Sequence, residues 1–346
     1  MAGEILRIGF VGAGANTMLH HIPGLQAIDG VELIAVCNRS EESGQRVADQ
    51  FGIARVETET QAIFDADDID AVCIGTWPYR HREYAVHALK AGKHVLCEAR
   101  MAMNAAEARE MLATVQLHPE LVAQIVPAPG DLLVWRTVRR LIEEGALGEV
   151  REAHVDVLNA SSIDPSGPLH WRHQVRYSGT NMMAFGIFAE VVSRWLGPTE
   201  RVIADAATFI GQRRDEESGA DVVIDVPDSL GVLAHLERGT RVTYRVSTVA
   251  HDAPSMSISL YGSSATLHWR GGGELTLARI GEAPEAVTPD DGTAVGWNVE
   301  ADFVASIRDQ RPVELTNFED GLHYMRLTEA VRRSLSEGRV VNLEEV

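Results

Sequence analysis

Residues 6–40 read LRIGFVGAGANTMLHHIPGLQAIDGVELIAVCNRS, and this stretch decides the fold. Leu6–Val11 is a short apolar, β-branched run bounded by glycine, the pattern of a buried strand. Gly12-Ala13-Gly14 follows at once, a helical pattern runs to about Ile28, and Val31–Cys37 is a second apolar run. A strand, turn, helix and strand within roughly thirty residues is the context a dinucleotide-binding glycine turn requires. Gly12 permits the tight turn, and Gly14, having no Cβ, lets the backbone approach a pyrophosphate. The helix start, with Ala15 and Asn16, offers unpaired N–H groups and a positive dipole end. The third glycine position holds Thr17, so the helix is expected to stand slightly further from the strand. The competing reading is a glycine turn that binds nothing.

The end of the second strand bears on cofactor choice. NAD sites usually place Asp or Glu there to hold the ribose 2′-OH. This chain has Asn38-Arg39-Ser40. Asn38 removes a carboxylate that would repel a 2′-phosphate, Arg39 could clamp that phosphate or stack on adenine, and Ser40 could donate to it. The cofactor is therefore read as NAD(P), with a lean to NADP; a solvated surface arginine is the bland alternative for Arg39.

At 346 residues two domains are expected, and 45% hydrophobic content is ordinary for a globular protein. The net charge of −19 argues against nucleic-acid and anionic-membrane partners and points to a small-molecule substrate in the cytoplasm. Cys37, Cys73 and Cys97 fall in apolar runs and read as buried thiols of a reducing compartment. No Cys/His spacing suggests a metal site, the first ten residues lack a signal-peptide pattern, and no apolar run is long enough to span a membrane.

Further strands are expected at 54–57, 69–75, 93–98 and 121–127, alternating with helices at 79–91 and from Asn104 to about Leu117; Thr58 is a candidate cap for the helix that follows it. That alternation predicts a parallel sheet whose ligand crevice lies at the strand carboxyl ends. Those ends carry Gly12–Gly14, Asn38, Thr76, Trp77, His81, Glu98 and Arg100. After Gly148 the pattern changes to longer strands at 150–158, 201–210, 229–237, 241–249, 255–261 and 265–269, with antiparallel-style turns. Between the first two lie a loop to Ser178 and a helix at about 181–196; helices at 298–309 and 318–337 close the chain, and Arg213–Gly219 reads as a mobile loop. The domains are placed at 1–127 and 128–346. A sheet with one uncovered face predicts a homodimer or homotetramer formed through it.

With these stretches in view, the chain resembles the Gfo/Idh/MocA family. CIGTWPYRH at 73–81, AGKHVLCEAR at 91–100, GALGEV at 145–150, SGTNMMAFGIFAEVVSRWLG at 178–197 and the final helical segment are each similar to a family motif. The resemblance implies a Rossmann dinucleotide-binding domain followed by an α/β domain with a large, open, predominantly antiparallel sheet. It also implies a sugar or cyclitol substrate exchanging hydride with nicotinamide. In that family a lysine after the glutamate, and an Asp and a His in the later helix motif, surround the reacting hydroxyl. Here those positions are Ala99, Ala184 and Phe188.

Removing a hydroxyl proton needs a base, worth about 10²–10⁴-fold in rate. Arg100 stays protonated and can orient an anion but is a poor base. The stretch LHWRHQVRYSG at 169–179 offers replacements. The order for the base is His173, Tyr177, His170, then Glu190, with an Arg194 salt bridge as the structural alternative for Glu190. His81 matches the family pattern, with a helix-start residue bonded locally as the favoured reading, and Glu98 reads as a neighbour of the nicotinamide ribose or, equally, as a structural residue that turns the chain. Arg100, Arg172 and Arg176, in a chain this acidic, point to a substrate bearing a carboxylate, sulfonate or phosphate. The sequence thus predicts an NAD(P)-dependent oxidoreductase acting on a CH–OH group. A redox-neutral NAD-dependent glycosidase and a non-catalytic cofactor-binding regulator are the alternatives.

Overall fold

The computed structural model describes residues 5–253, 256–290 and 296–346. Met1–Glu4, at the head of the stretch read for a signal peptide, and Ser255, an expected strand start, lie outside the described residues. The chain divides into two compact units, Met1–Pro127 with Asn298–Leu322, and Ala128–Trp297 with His323–Val346.

The first unit runs β1 (Leu6–Val11), a π-helical turn (Thr17–His21), α1 (Ile22–Gln26), β2 (Val31–Cys37), α2 (Glu41–Phe51), β3 (Arg55–Glu57), α3 (Thr60–Phe64), β4 (Ala71–Ile74), α4 (Pro78–Lys90), β5 (His94–Cys97), α5 (Ala105–Leu117) and β6 (Ala123–Ile125). The strands are parallel, in the order β3-β2-β1-β4-β5-β6. Strands covered on both faces need apolar side chains at every position, not at alternate ones. Accordingly Ile8, Phe10, Val72, Ile74, Val95 and Leu96 are wholly buried. The strand order reverses direction at β1 and β4, which fixes the ligand crevice at their carboxyl ends.

Capping sets the helix starts. Ser40 Oγ accepts the Ser43 N–H at 3.3 Å and begins α2. Asn104 Oδ1 accepts the Glu107 N–H at 2.9 Å and begins α5, while Glu107 takes the Met103 N–H at 3.1 Å. Thr58 does not cap: α3 starts after Glu59, whose side chain makes no cap bond.

The second unit holds α6 (Trp135–Glu143), β7 (Val150–Leu158), α7 (Val175–Ser178), α8 (Phe185–Leu196) and β8 (Thr199–Ala207). It continues with β9 (Gln212–Arg214), β10 (Asp221–Val223), β11 (Ser229–Leu236), β12 (Arg241–Ser247), β13 (Met256–Gly262), β14 (Ala265–Arg270), β15 (Glu274–Arg279), β16 (Glu285–Val287) and β17 (Val341–Asn342). Nine strands form one mixed sheet ordered β16-β15-β14-β13-β7-β12-β11-β8-β17, antiparallel except for the β7/β12 pair. Its buried face packs under α8, where Phe185 meets Tyr244 and both Phe188 and Trp195 meet Trp269. The other face is polar, with Arg245 paired to Asp156 across β12 and β7 at 2.6 Å.

Two expectations change. Arg213–Gly219 is not a free loop: β9 pairs with β10, and buried Arg213 donates to the carbonyls of Asp164, Gly167 and Ser162. The strands β15 and β16 extend the sheet beyond what the sequence predicts, because their short, charge-bounded runs carry little apolar signal. Of the two closing helices, α9 (Val299–Arg308) belongs to the first unit, and α10 (Phe318–Glu337) contributes its residues through Leu322 to that unit and the rest to the second. The segment 298–322 joins the first unit through specific contacts. Ile125 N–H donates to Thr316 O at 2.9 Å, beside the β6 edge, and Gly321 sits against Ile125 and Met101 with no room for a Cβ.

Candidate active site

In the first unit the candidate site is the turn after β1. Gly12 has φ +80°, which L side chains rarely adopt, and a Cβ there would collide with Thr76. Gly14 is exposed, and a Cβ there would meet Gly75 O at an ordinary contact distance of 3.6 Å. Ala13 N–H donates to Asn38 Oδ1 at 2.7 Å, and Asn38 Nδ2 donates to Ser43 O at 3.2 Å. Asn38 therefore braces the glycine turn against α2, and Ser40 is committed to capping. Arg39 is exposed and makes no ion pair or hydrogen bond among the described residues. Thr17, buried in the third glycine position, is accommodated by Gly75, where a Cβ would collide with its hydroxyl. The Thr17 and Thr76 hydroxyls are buried without a hydrogen-bond partner among the described residues. A backbone cradle at a glycine turn, with exposed Gly14, Ala15 and Asn16 at the helix start, fits a pyrophosphate.

Below the strand ends, His81 is fully buried, with Nδ1 2.9 Å from Arg100 O and Nε2 2.8 Å from Thr76 O. It ties the loop after β4 to the loop after β5, and burial pulls its pKa down. Trp77 precedes α4, 38% exposed, with its ring 6.3 Å from that of Tyr79. Glu98 follows β5 and meets Asn16 Nδ2 and His21 Nε2, the latter at 3.1 Å. His21 Nδ1 lies 2.5 Å from Glu300 Oε1. Burial alone would lower the His21 pKa, but the hydrogen bonds to Glu300 and Glu98 outweigh it and raise it to about 9. Burial would raise Glu98, yet the His21 and Asn16 contacts pull it down to about 2. His21 and Glu300 escape sequence reasoning: a histidine inside a helical stripe and a glutamate 279 residues later carry no mutual signal.

The remaining residues singled out in the sequence belong to the second unit. Trp171–His173 is a single 3₁₀ turn, followed by α7. His170 N–H donates to His173 Nδ1 at 3.1 Å, and Arg172 N–H to His170 Nδ1 at 3.2 Å. Each Nδ1 is thus an acceptor, so in the neutral ring the proton sits on Nε2. Burial, then the nearby Arg213 and His170, push His173 down to about 4. Burial and Arg172 also lower His170. As placed, His173 offers an N–H donor and not a free basic nitrogen. Asp225, which the sequence reading missed, holds this turn by accepting the Val175 N–H at 2.7 Å.

Arg172 and Arg176 are exposed, each over its aromatic neighbour, 4.1 Å from the Trp171 ring and 4.6 Å from the Tyr177 ring. Glu190 is buried on α8, accepting from Arg194 at 2.6 Å and from the Ala128 N–H at 3.1 Å. Arg194 also bonds Asp131 at 2.5 Å, so Glu190 belongs to a buried network, as the i,i+4 alternative anticipated. Phe188 is buried against Trp269, and Ala184 precedes α8. No group of three or more His, Cys, Asp or Glu able to hold a metal occurs among the described residues, and no helix among them is long and apolar enough to cross a membrane.

Residues 6–124 match the family described as oxidoreductase family, NAD-binding Rossmann fold, and residues 135–268 match the GFO/IDH/MocA C-terminal domain. Relatives include levoglucosan dehydrogenase of Pseudarthrobacter phenanthrenivorans, 25% identical over 287 residues covering 76% of this chain and 71% of that protein. Myo-inositol 2-dehydrogenase of Thermotoga maritima is 24% identical over 359 residues covering 99% of both chains. The fold matches that of an oxidoreductase domain protein from Kribbella flavida, with TM-score 0.89 and 22% identity over 98% of this chain and 99% of that one. Levoglucosan dehydrogenase in complex with NADH and L-sorbose superposes with TM-score 0.85 and 22% identity, covering 98% of each chain. With both domain types matched in sequence and a glycine turn shaped for a dinucleotide, the chain belongs to the Gfo/Idh/MocA family of oxidoreductases, with an NAD-binding Rossmann fold.

Proposed function

We propose that this oxidoreductase interconverts a CH–OH group and its carbonyl on a sugar, cyclitol or related small molecule, acidic ones included. The observation that carries the reading is the Gly12–Gly14 turn, exposed at Gly14 and braced by Asn38 at the head of the parallel sheet. The relatives named for levoglucosan and myo-inositol support a polyol substrate. A bound nicotinamide supplies the hydride acceptor or donor; Ala15 and the other turn residues hold its phosphates. On the protein side, His173 presents Nε2–H to a developing alkoxide, much as a neutral imidazole does in other enzymes. Tyr177 takes the proton-transfer role, and Arg172, Arg176 and Arg100 orient an anionic group. His170 supports the His173 turn. Exposed Arg39 at the end of β2 favours NADP over NAD.

The polar sheet face, with Ile203 and Leu233 exposed on it, supports a homodimer or homotetramer assembled there. Fluorescence titration with NADH and NADPH, then a panel of polyols and sugar acids followed by nicotinamide absorbance, tests the reading. Reduction of the cofactor by some member of the panel is the expected result. A second reading rests on Ala99, Ala184 and Phe188, which cannot transfer protons: tight cofactor binding with no net reduction would identify a redox-neutral enzyme or a regulator.

A further inference from the structure

We propose that Glu300 and His21 are positioning residues for the nicotinamide half of the dinucleotide, acting through Glu98 on Asn16. The proposal rests on the cofactor reading above. His21 is fully buried, and each of its ring nitrogens faces a carboxyl oxygen, Glu300 at 2.5 Å and Glu98 at 3.1 Å. A neutral imidazole would turn a lone pair toward one of those oxygens. Between two ionised carboxylates only the imidazolium donates at both ends, and this pairing with two negative groups favours the charged ring.

That charge keeps Glu98 an acceptor. Its Oε1 receives His21 and Asn16 Nδ2, and its Oε2 receives the Ala99 N–H at 3.2 Å. Asn16 is exposed, two residues beyond Gly14. With its amide nitrogen directed to Glu98, its amide oxygen is left to meet a hydroxyl or amide of a ligand. The chain is shaped to admit this arrangement. Thr17–His21 is a π-turn, a rare form frequent at functional sites. Gly24 leaves the space the Glu300 carboxyl fills; a Cβ there would stand 2.8 Å from Glu300 Oε2.

Position in the sheet names the half of the ligand. In a doubly wound sheet one mononucleotide lies over the β1–β3 side and the other over the β4–β6 side. Asn38, after β2, marks the adenosine side, and Glu98, after β5, marks the nicotinamide side. Asn16 is thus drawn by Glu98 from the phosphate turn toward the nicotinamide side.

The test measures dissociation constants of NADH and of ADP, which lacks the nicotinamide nucleoside, for wild type, N16A, E300Q and N16A/E300Q. Loss of a hydrogen bond to an ordered acceptor predicts about tenfold weaker NADH binding for N16A. E300Q should weaken NADH at least fivefold and ADP less than twofold, and the double variant should be no weaker than N16A (order-of-magnitude expectations). E300Q binding NADH like wild type, weakening NADH and ADP alike, or adding fully to N16A would each overturn the proposal. E300D, which withdraws the carboxyl by one methylene, repeats the test should E300Q fold poorly. Wild type that binds neither NADH nor NADPH would instead overturn the cofactor reading itself.

Discussion

The backbone N–H of Ala13 is held at 2.7 Å by the side-chain oxygen of Asn38, so the residue standing where NAD enzymes place a ribose-reading carboxylate is engaged with the glycine turn. Its amide nitrogen is likewise bound to Ser43 O. On the proposed reading, selectivity at the adenosine end falls to Arg39, which is exposed beyond β2. Replacing Arg39 with Asp should weaken NADPH binding by tenfold or more and leave NADH within about threefold, since the 2′-phosphate is the group an arginine recognises and a carboxylate repels. Parallel fluorescence titrations decide it; equal losses for both nucleotides would remove Arg39 from cofactor selection.

A charged His21 makes stability depend on pH in a defined direction. Its folded pKa of about 9 lies above the ordinary histidine value of 6.5, so its contribution is complete below about pH 6.5 and is lost as pH rises through about 9. The shift corresponds to about 3 kcal/mol. The stability gap between wild type and H21Q should therefore be widest below about pH 6.5, narrow as pH rises past neutrality and shrink further toward pH 10. Urea unfolding across that range measures it, and a gap that stays constant would mean a ring neutral in the folded state.

Arg194 links Asp131 and Glu190 inside the second unit, with all three side chains buried and Trp195 Nε1 donating to Asp131 at 2.9 Å. Removing Asp131 leaves Arg194 its Glu190 partner but leaves the buried Trp195 Nε1–H without its acceptor, which costs about 1–3 kcal/mol. D131A should lose that much in chemical denaturation, and D131N markedly less, because its amide still accepts from Trp195.

His173 is held neutral, with its proton on Nε2. If it acts as a donor, H173Q, which keeps an N–H near the same place, should retain most of kcat/KM, while H173A falls by about 10²-fold. The wild-type pH profile should show no limb attributable to His173 above about pH 5, because the ring is already deprotonated there. An ionisation near pH 6–7 that vanishes in H173Q would restore His173 as a base.

Arg172, exposed over Trp171, should matter for charged substrates alone. R172A is expected to raise KM for an acidic substrate by about tenfold, the worth of one charge-assisted hydrogen bond, with little change for a neutral analogue. Equal effects on both would dismiss the anion site.

The stretch 6–40, read alone, located β1 and β2, because buried parallel strands read as near-continuous apolar runs and a glycine turn precedes the helix between them. The second sheet was legible in the longer strands whose apolar residues alternate, such as β7 and β11, and not in β15, whose alternation rests on Leu275 and Leu277 alone, nor in the three-residue strands β9, β10 and β16, too short to show a period. Local spacing also anticipated the Glu190–Arg194 pair, since residues four apart share a helix face. Tertiary structure alone decided that Asn38 braces the turn, that His173 carries its proton on Nε2, and that Glu300 meets His21 across a separation of 279 residues. Each of those depends on which atom faces which, and hydrogen-bond direction is fixed by three-dimensional placement that no one-dimensional period encodes.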